Sequence, residues 1–223
     1  LANWVRENVS FPSCMVDRIT PRTDDPLRFE VEELFPSYGK TAIQTEEFTQ
    51  WVIEDDFAAE FPDLTEVGVT ITKNLEPYEE TKIRILNGGH TSLAYLGVLS
   101  GYSTFDEVMS DKAHLKHFKL LQSEEIVPSI EMDLPFDIDE YVETIEERLS
   151  AAYNNDHLER ICMDGFTKFH TFIVPSLRVC LEQRKRPIHI YRSIGAWYIY
   201  ARKFARGCIR IKYTEPNWLL LEP

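Results

Sequence analysis

Apolar residues recur with helical spacing through the middle and last thirds of the chain. Ile138, Tyr141, Val142, Ile145, Leu149 and Ala152 fall on one side of a helix that Asp137 and Glu140 open. Phe105, Val108, Leu115, Phe118 and Leu121 mark the helix before it, with Ser103 and Asp106 as a capping arrangement. A longer helix is predicted from Pro77, at a first helical position, to a stop at Gly101. Further helices are expected at about 155–163, 167–183 and 188–206. Upstream, Thr45 can cap a helix carrying Phe48, Trp51, Val52 and Ala59 and stopped by Pro62. The alternation from Gly68 to Thr72 reads as a short strand, residues 22–44 as turn-rich, and Leu1–Pro21 as extended. The fold class is mainly α, multihelical, with minor strand content.

With 43% hydrophobic and 27% charged residues, the 223-residue chain has the composition of an ordinary soluble domain. No apolar run approaches the roughly 18 residues of a membrane span, and no basic start leads into an apolar stretch, so neither a membrane anchor nor a signal peptide is expected. A chain that opens on Leu1 instead of Met reads as a piece of a longer protein. The net charge of −13 argues against nucleic acid or an anionic membrane as partner. Arg184, Lys185, Arg186, Arg192, Arg202, Lys203, Arg206 and Arg210 nevertheless make 178–212 basic, either a solvated helix face or a docking surface. Cys14, Cys162, Cys180 and Cys208 form no C-x-x-C pair and fit free thiols in a reducing, cytoplasmic setting. His114 and His117 stand three apart without a third ligand nearby, so no metal is expected there and both read as surface residues.

One segment carries chemistry: Lys82-Ile83-Arg84-Ile85-Leu86-Asn87-Gly88-Gly89-His90. On an α-helix Asn87 lies roughly 140° from Lys82 and His90 roughly 80°, so the three polar groups fan across one side. Gly88 and Gly89 in mid-helix admit close approach of a backbone or a ligand. A desolvated lysine can act as a base near neutral pH, while an amide or a neutral imidazole can donate to an oxygen gaining negative charge. Taken alone, the same residues also describe solvent contacts and a satisfied core histidine.

The stretch Phe11-Pro12-Ser13-Cys14-Met15-Val16-Asp17-Arg18-Ile19-Thr20-Pro21 resembles the F-P-x-x-M-V-D-R-I-T-P signature of the mannitol dehydrogenase family of polyol-specific long-chain dehydrogenases. Trp51–Asp55 resembles its W-V-I-E-D segment, Lys82–His90 its K-x-x-x-x-N-x-x-H element, and Arg160–Lys168 its R-I-x-x-D-G-x-x-K element, all in family order. The resemblance implies a helical C-terminal domain like that of 6-phosphogluconate dehydrogenase-like enzymes. Residues 1–24 would end an otherwise absent N-terminal Rossmann domain and linker, and 25–223 would form the substrate domain, truncated at its C-terminus. It implies Lys82 as general base, Asn87 in the oxyanion site and His90 orienting the reacting oxygen. Asp17, Arg160 and Lys168 would bind substrate hydroxyls, with Glu79 as a weaker proton-relay candidate.

The cofactor would be NAD or NADP, held mainly by the missing domain, with no metal; the substrate would be a sugar alcohol or ketose, hexitols such as mannitol with fructose as product leading. This chain has no G-x-G-x-x-G, so by itself it is expected to be inactive. Hexuronate (fructuronate or tagaturonate) reduction is the alternative within the family, and a non-catalytic partner-binding homologue using residues 178–212 is the alternative outside it. Departures from the family pattern are Phe166, where a small residue is usual, and an Arg- and Tyr-rich tail including Tyr191, Tyr198 and Tyr200. Without these motifs Asp17–Arg18 would read as a surface ion pair, and Arg160 and Lys168 as solvated helix charges.

Overall fold

The computed structural model describes residues 1–209 and 211–221; Arg210, one of the basic residues noted above, lies outside them. The chain begins with helix α1 (Ala2–Asn8), then strand β1 (Cys14–Asp17), helix α2 (Asp25–Leu34), and strands β2 (Gln50–Glu54) and β3 (Thr70–Thr72). β2 lies between the other two, antiparallel to β1 with Met15 opposite Val52, and parallel to β3 with Val52 opposite Thr70. The helical body follows: α3 (Glu76–Thr81), α4 (Gly88–Ser100), α5 (Phe105–Ser110), α6 (Lys112–Leu120), α7 (Ile138–Ser150), α8 (Leu158–Ile161), α9 (Gly165–Lys168), α10 (Val174–Glu182), α11 (Ile188–Ala205) and α12 (Trp218–Leu221).

The mainly helical class is as expected, but four local expectations fail. The first is the single helix over Phe105–Leu121, which breaks into α5 and α6 at Asp111, an extended residue whose side chain caps α6. The segment after Thr45 is not a helix: Trp51, Val52 and Ile53 favour a pleated surface, and β2 has a partner on each edge to hold it there. The apparent helical spacing of Phe48, Trp51 and Val52 dissolves in the structure, because Trp51 is exposed and Val52 fully buried. Within the turn-rich region α2 forms, capped by Asp24, whose side chain accepts from the Leu27 amide at 3.0 Å, with Pro26 in the first turn. It buries no residue, so no apolar stripe announced it. Finally α1 replaces the extended start.

Cap signals are otherwise read to within a residue. Asp137 caps α7 by accepting from the Asp139 and Glu140 amides. The box at α5 is Thr104 with Glu107 rather than Ser103 with Asp106. Gly101 ends α4 with φ of 92°, where a side chain would be strained.

α4 runs through the centre of the helical core, with Leu93, Ala94 and Tyr95 fully buried. Tyr95 packs between Tyr200 and Phe169 and donates its hydroxyl to the Cys162 carbonyl at 2.8 Å. The two glycines at its start do what the sequence suggested. A Cβ on Gly88 would sit 3.2 Å from the Phe172 carbonyl oxygen, and one on Gly89 would sit 2.8 Å from the Phe118 ring, so both elements press on bare backbone.

Candidate active site

The predicted helix from Pro77 to Gly101 is interrupted by a π turn at Lys82–Asn87, where the Gly88 amide bonds back to the Ile83 carbonyl five residues earlier. In such a turn residues five apart stack above one another, as residues four apart do in an α-helix. Lys82 and Asn87 therefore share one side of the element instead of standing far apart around it. The wider turn disturbs the regular carbonyl pattern, and Gln122, itself in a second π turn (Leu121–Ile126), donates its side-chain amide to the Ile85 carbonyl at 3.0 Å.

The half-buried Lys82 reaches back 66 residues in sequence, its amine donating to the Val16 carbonyl at 2.8 Å. Asn87 is half-buried at the far end of the same turn, and Glu79 is half-buried one turn before Lys82. His90, in the first turn of α4, packs edge-on against Phe105 at 4.3 Å. Its Nε2 lies 3.4 Å from an Asp156 carboxylate oxygen, outside good hydrogen-bond geometry and with no other protein partner. Burial pushes the His90 pKa down to about 4, against the opposing pull of Asp156, so the ring is neutral at neutral pH.

Asp17, read as a substrate contact, is buried and engaged elsewhere. Its two oxygens accept from Arg148 Nη1 at 2.7 Å and Nη2 at 3.0 Å. The same guanidinium is shared with buried Glu46 and lies 3.8 Å over the Phe48 ring. Glu46 in turn accepts from the Ile19 amide, and Arg18 donates to the Glu46 carbonyl, which replaces the surface Asp17–Arg18 pair the sequence suggested. Burial opposes the Arg148 charge, but its hydrogen bonds to the two carboxylates prevail and raise its pKa.

Arg160 is paired with Asp156 through two hydrogen bonds and remains about half exposed. It borders an open cleft of about 840 Å³ that Arg22, Met163 and Lys212 also line. Lys168 donates to the Ile161 carbonyl at 2.7 Å, and burial, with the Arg160 charge beside it, lowers its pKa from the ordinary lysine value. Arg160 and Lys168 lie on two one-turn helices, α8 and α9, with Asn155 before the first and Asp164 before the second both in the left-handed region.

The four motifs thus meet. The first supplies the carbonyl that holds Lys82, the second is the strand paired to it, and the third carries Lys82, Asn87 and His90. The fourth reaches His90 through Asp156. Sequence reasoning missed Glu46, Arg148 and Asp156. Of these Asp156 left a signal, four residues before Arg160, the spacing of a helical ion pair.

The basic 178–212 region presents Arg184, Lys185, Arg186, Arg192, Arg202, Lys203 and Arg206 to solvent. His117, expected at the surface, is buried with its Nδ1 3.2 Å from that of His189. Burial, reinforced by His189, lowers its pKa to about 4. His90 and His117 therefore resist protons that the unfolded chain takes up near pH 6.5. Their stabilising contribution is complete above that pH and is lost as pH falls toward 4, by up to about 3 kcal/mol for each group. Denaturant unfolding at pH 7, 6, 5 and 4.5 should give steadily lower stability; a flat profile would contradict both shifts.

Two family models match the chain. One described as the mannitol dehydrogenase Rossmann domain matches residues 1–66, and one described as the mannitol dehydrogenase C-terminal domain matches residues 74–222. The chain is 36% identical over 222 residues to mannitol 2-dehydrogenase of Cereibacter sphaeroides, covering all of this chain and 46% of that protein. It is 34% identical over 202 residues to D-mannonate oxidoreductase of Escherichia coli strain K12, covering 91% of this chain and 42% of that protein. Its fold matches Pseudomonas fluorescens mannitol 2-dehydrogenase, solved as a ternary complex with NAD and D-mannitol, with a TM-score of 0.85 and 32% identity over 98% of this chain and 44% of that one. The chain spans less than half the length of these relatives.

Proposed function

The chain belongs to the mannitol dehydrogenase family, and we propose that it is the substrate-binding half of an NAD(P)-dependent polyol:ketose oxidoreductase in which Lys82 is the general base. The observation that carries this reading is the 2.8 Å hydrogen bond from the Lys82 amine to the Val16 carbonyl. It joins the two most specific motifs at one point, beside the turn that bears Asn87. In the proposed reaction Lys82 removes the proton of the alcohol being oxidised and returns one in the reverse direction. Asn87 donates to the oxygen as it gains negative charge, and Arg160 and Lys168 hold further hydroxyls. The side-chain oxygens of Asp17 face Arg148, so in this reading its part is to hold the strand end that carries Val16.

The parallel pair found among the described residues, β2 and β3, leads into no glycine-rich turn that could cradle a pyrophosphate. In this reading NAD or NADP is held mainly by the remainder of the parent protein. A second reading, hexuronate reduction, draws support from Arg22, Arg160 and Lys212 around one cleft, a set suited to a carboxylate, and from the D-mannonate oxidoreductase relative.

The test is the intact parent assayed with D-mannitol, and in reverse with fructose and fructuronate, following reduced nicotinamide by absorbance. Mannitol oxidation is the expected result. Turnover of fructuronate alone would move the assignment to the second reading, and no turnover of any of the three would overturn both.

A further inference from the structure

One carboxylate serves two residues of the proposed polyol site. Asp156 Oδ1 accepts from Arg160 Nε at 2.8 Å, and Oδ2 accepts from Arg160 Nη2 while lying 3.4 Å from His90 Nε2. Asp156 is 5% exposed, whereas the Arg160 side chain is 47% exposed, so a buried anchor holds a guanidinium that projects to the cleft. The backbone fixes the anchor as well. Asn155 turns the chain through a φ of 45°, the Asp156 carbonyl accepts from the Phe105 amide at 3.0 Å, and the Phe105 ring packs on His90. His90 Nε2 is buried and has no other group to bond.

Resting on the reading of Lys82, Asn87 and His90 as a polyol site, we infer that Asp156 is a positioning residue that orients the Arg160 guanidinium toward substrate and selects the His90 tautomer protonated on Nε2. A neutral imidazole carries a single N–H, and the ring is neutral because burial holds its pKa near 4. The Asp156 carboxylate 3.4 Å from Nε2 attracts a proton on that nitrogen and repels a lone pair there, so charge favours the Nε2–H tautomer and Nδ1 is left with its lone pair. His90 then accepts a hydrogen bond from the reacting hydroxyl or its neighbour. This reverses the donor role expected from the sequence and leaves donation to the oxyanion with Asn87.

Two measurements test this. In the chain itself, ¹⁵N-histidine NMR at pH 7, with His90→Gln to assign the signal, should give the pattern of an Nε2–H tautomer at His90; an Nδ1–H pattern would overturn the inference even if no Asp156 variant folds. In the intact parent with D-mannitol as probe, Asp156→Asn should lower kcat/KM at least about tenfold, the effect of losing a charge-assisted hydrogen bond. In a parent already carrying Arg160→Ala and His90→Ala the same substitution should cost less than about twofold, because the residues it acts through are gone. A change within twofold in the wild-type background, or an equal loss in both backgrounds, would overturn the assignment. Lys82→Ala run in parallel separates the two ideas: if it stays active the site reading itself fails, whereas if it is inactive and Asp156→Asn is unaffected, Asp156 alone is misassigned.

Discussion

Lys82→Ala in the intact parent enzyme is expected to lower kcat for polyol oxidation by about 10³-fold, within the range that positioned acid–base groups contribute. The side chain is half-buried and tied to Val16, so its position is set before substrate arrives. Its loss removes the proton acceptor and leaves Asn87, Arg160 and Lys168 in place, so KM should change far less than kcat. Lys82→Arg sharpens the result. A guanidinium keeps the positive charge and can still reach the Val16 carbonyl, but it does not give up its proton in a protein. If Lys82 acts by transferring a proton, the arginine variant fails as badly as the alanine variant. If it acts only as a charge, the arginine variant works. A kcat for Lys82→Ala within twofold of wild type would remove Lys82 from the mechanism.

The second large effect is structural. Arg148→Met is expected to cost about 3–5 kcal/mol of stability, because it strands the buried carboxylates of Asp17 and Glu46 without a counter-charge. Two carboxylates share one guanidinium, so the group already carries an excess negative charge, and removing the cation is far worse than removing either anion. Asp17→Asn should therefore recover part of the loss when combined with Arg148→Met, while being destabilising alone. Denaturant unfolding of the four combinations measures this coupling directly. Additive effects would mean that the three groups do not interact as their geometry requires.

The same triad marks where sequence reading stops. Arg148 lies 131 residues from Asp17 and 102 from Glu46. Nothing local to Arg148, which sits on a charged amphipathic helix, distinguishes it from its solvated neighbours, and only the packed chain brings the three together. Helix α7 itself was legible because its apolar stripe and its Asp137 cap agree. α2 was not, since it rests on a cap and a proline with no buried face. β2 was misread because a five-residue strand can imitate one turn of helical spacing, and its identity is decided by partners at residues 14–17 and 70–72. The site residues on the third and fourth motifs were found through family resemblance, and residue chemistry alone left them ambiguous. What resemblance did not supply was their surroundings, Asp156 beside Arg160 and His90, and Arg148 beside Asp17.

The i→i+5 turn at Lys82–Asn87 has a consequence for how this segment can vary. It holds one residue more than an α-helical turn would. Removing one residue between Lys82 and Asn87 would close it to an α-helical turn and set the two four apart, again on one side of the helix. What such a deletion takes away is the wide turn itself and the place of the Ile85 carbonyl that accepts from Gln122. A change of length by one residue is therefore absorbed here without turning α4 against the core, and its effect falls on the local contacts of Lys82.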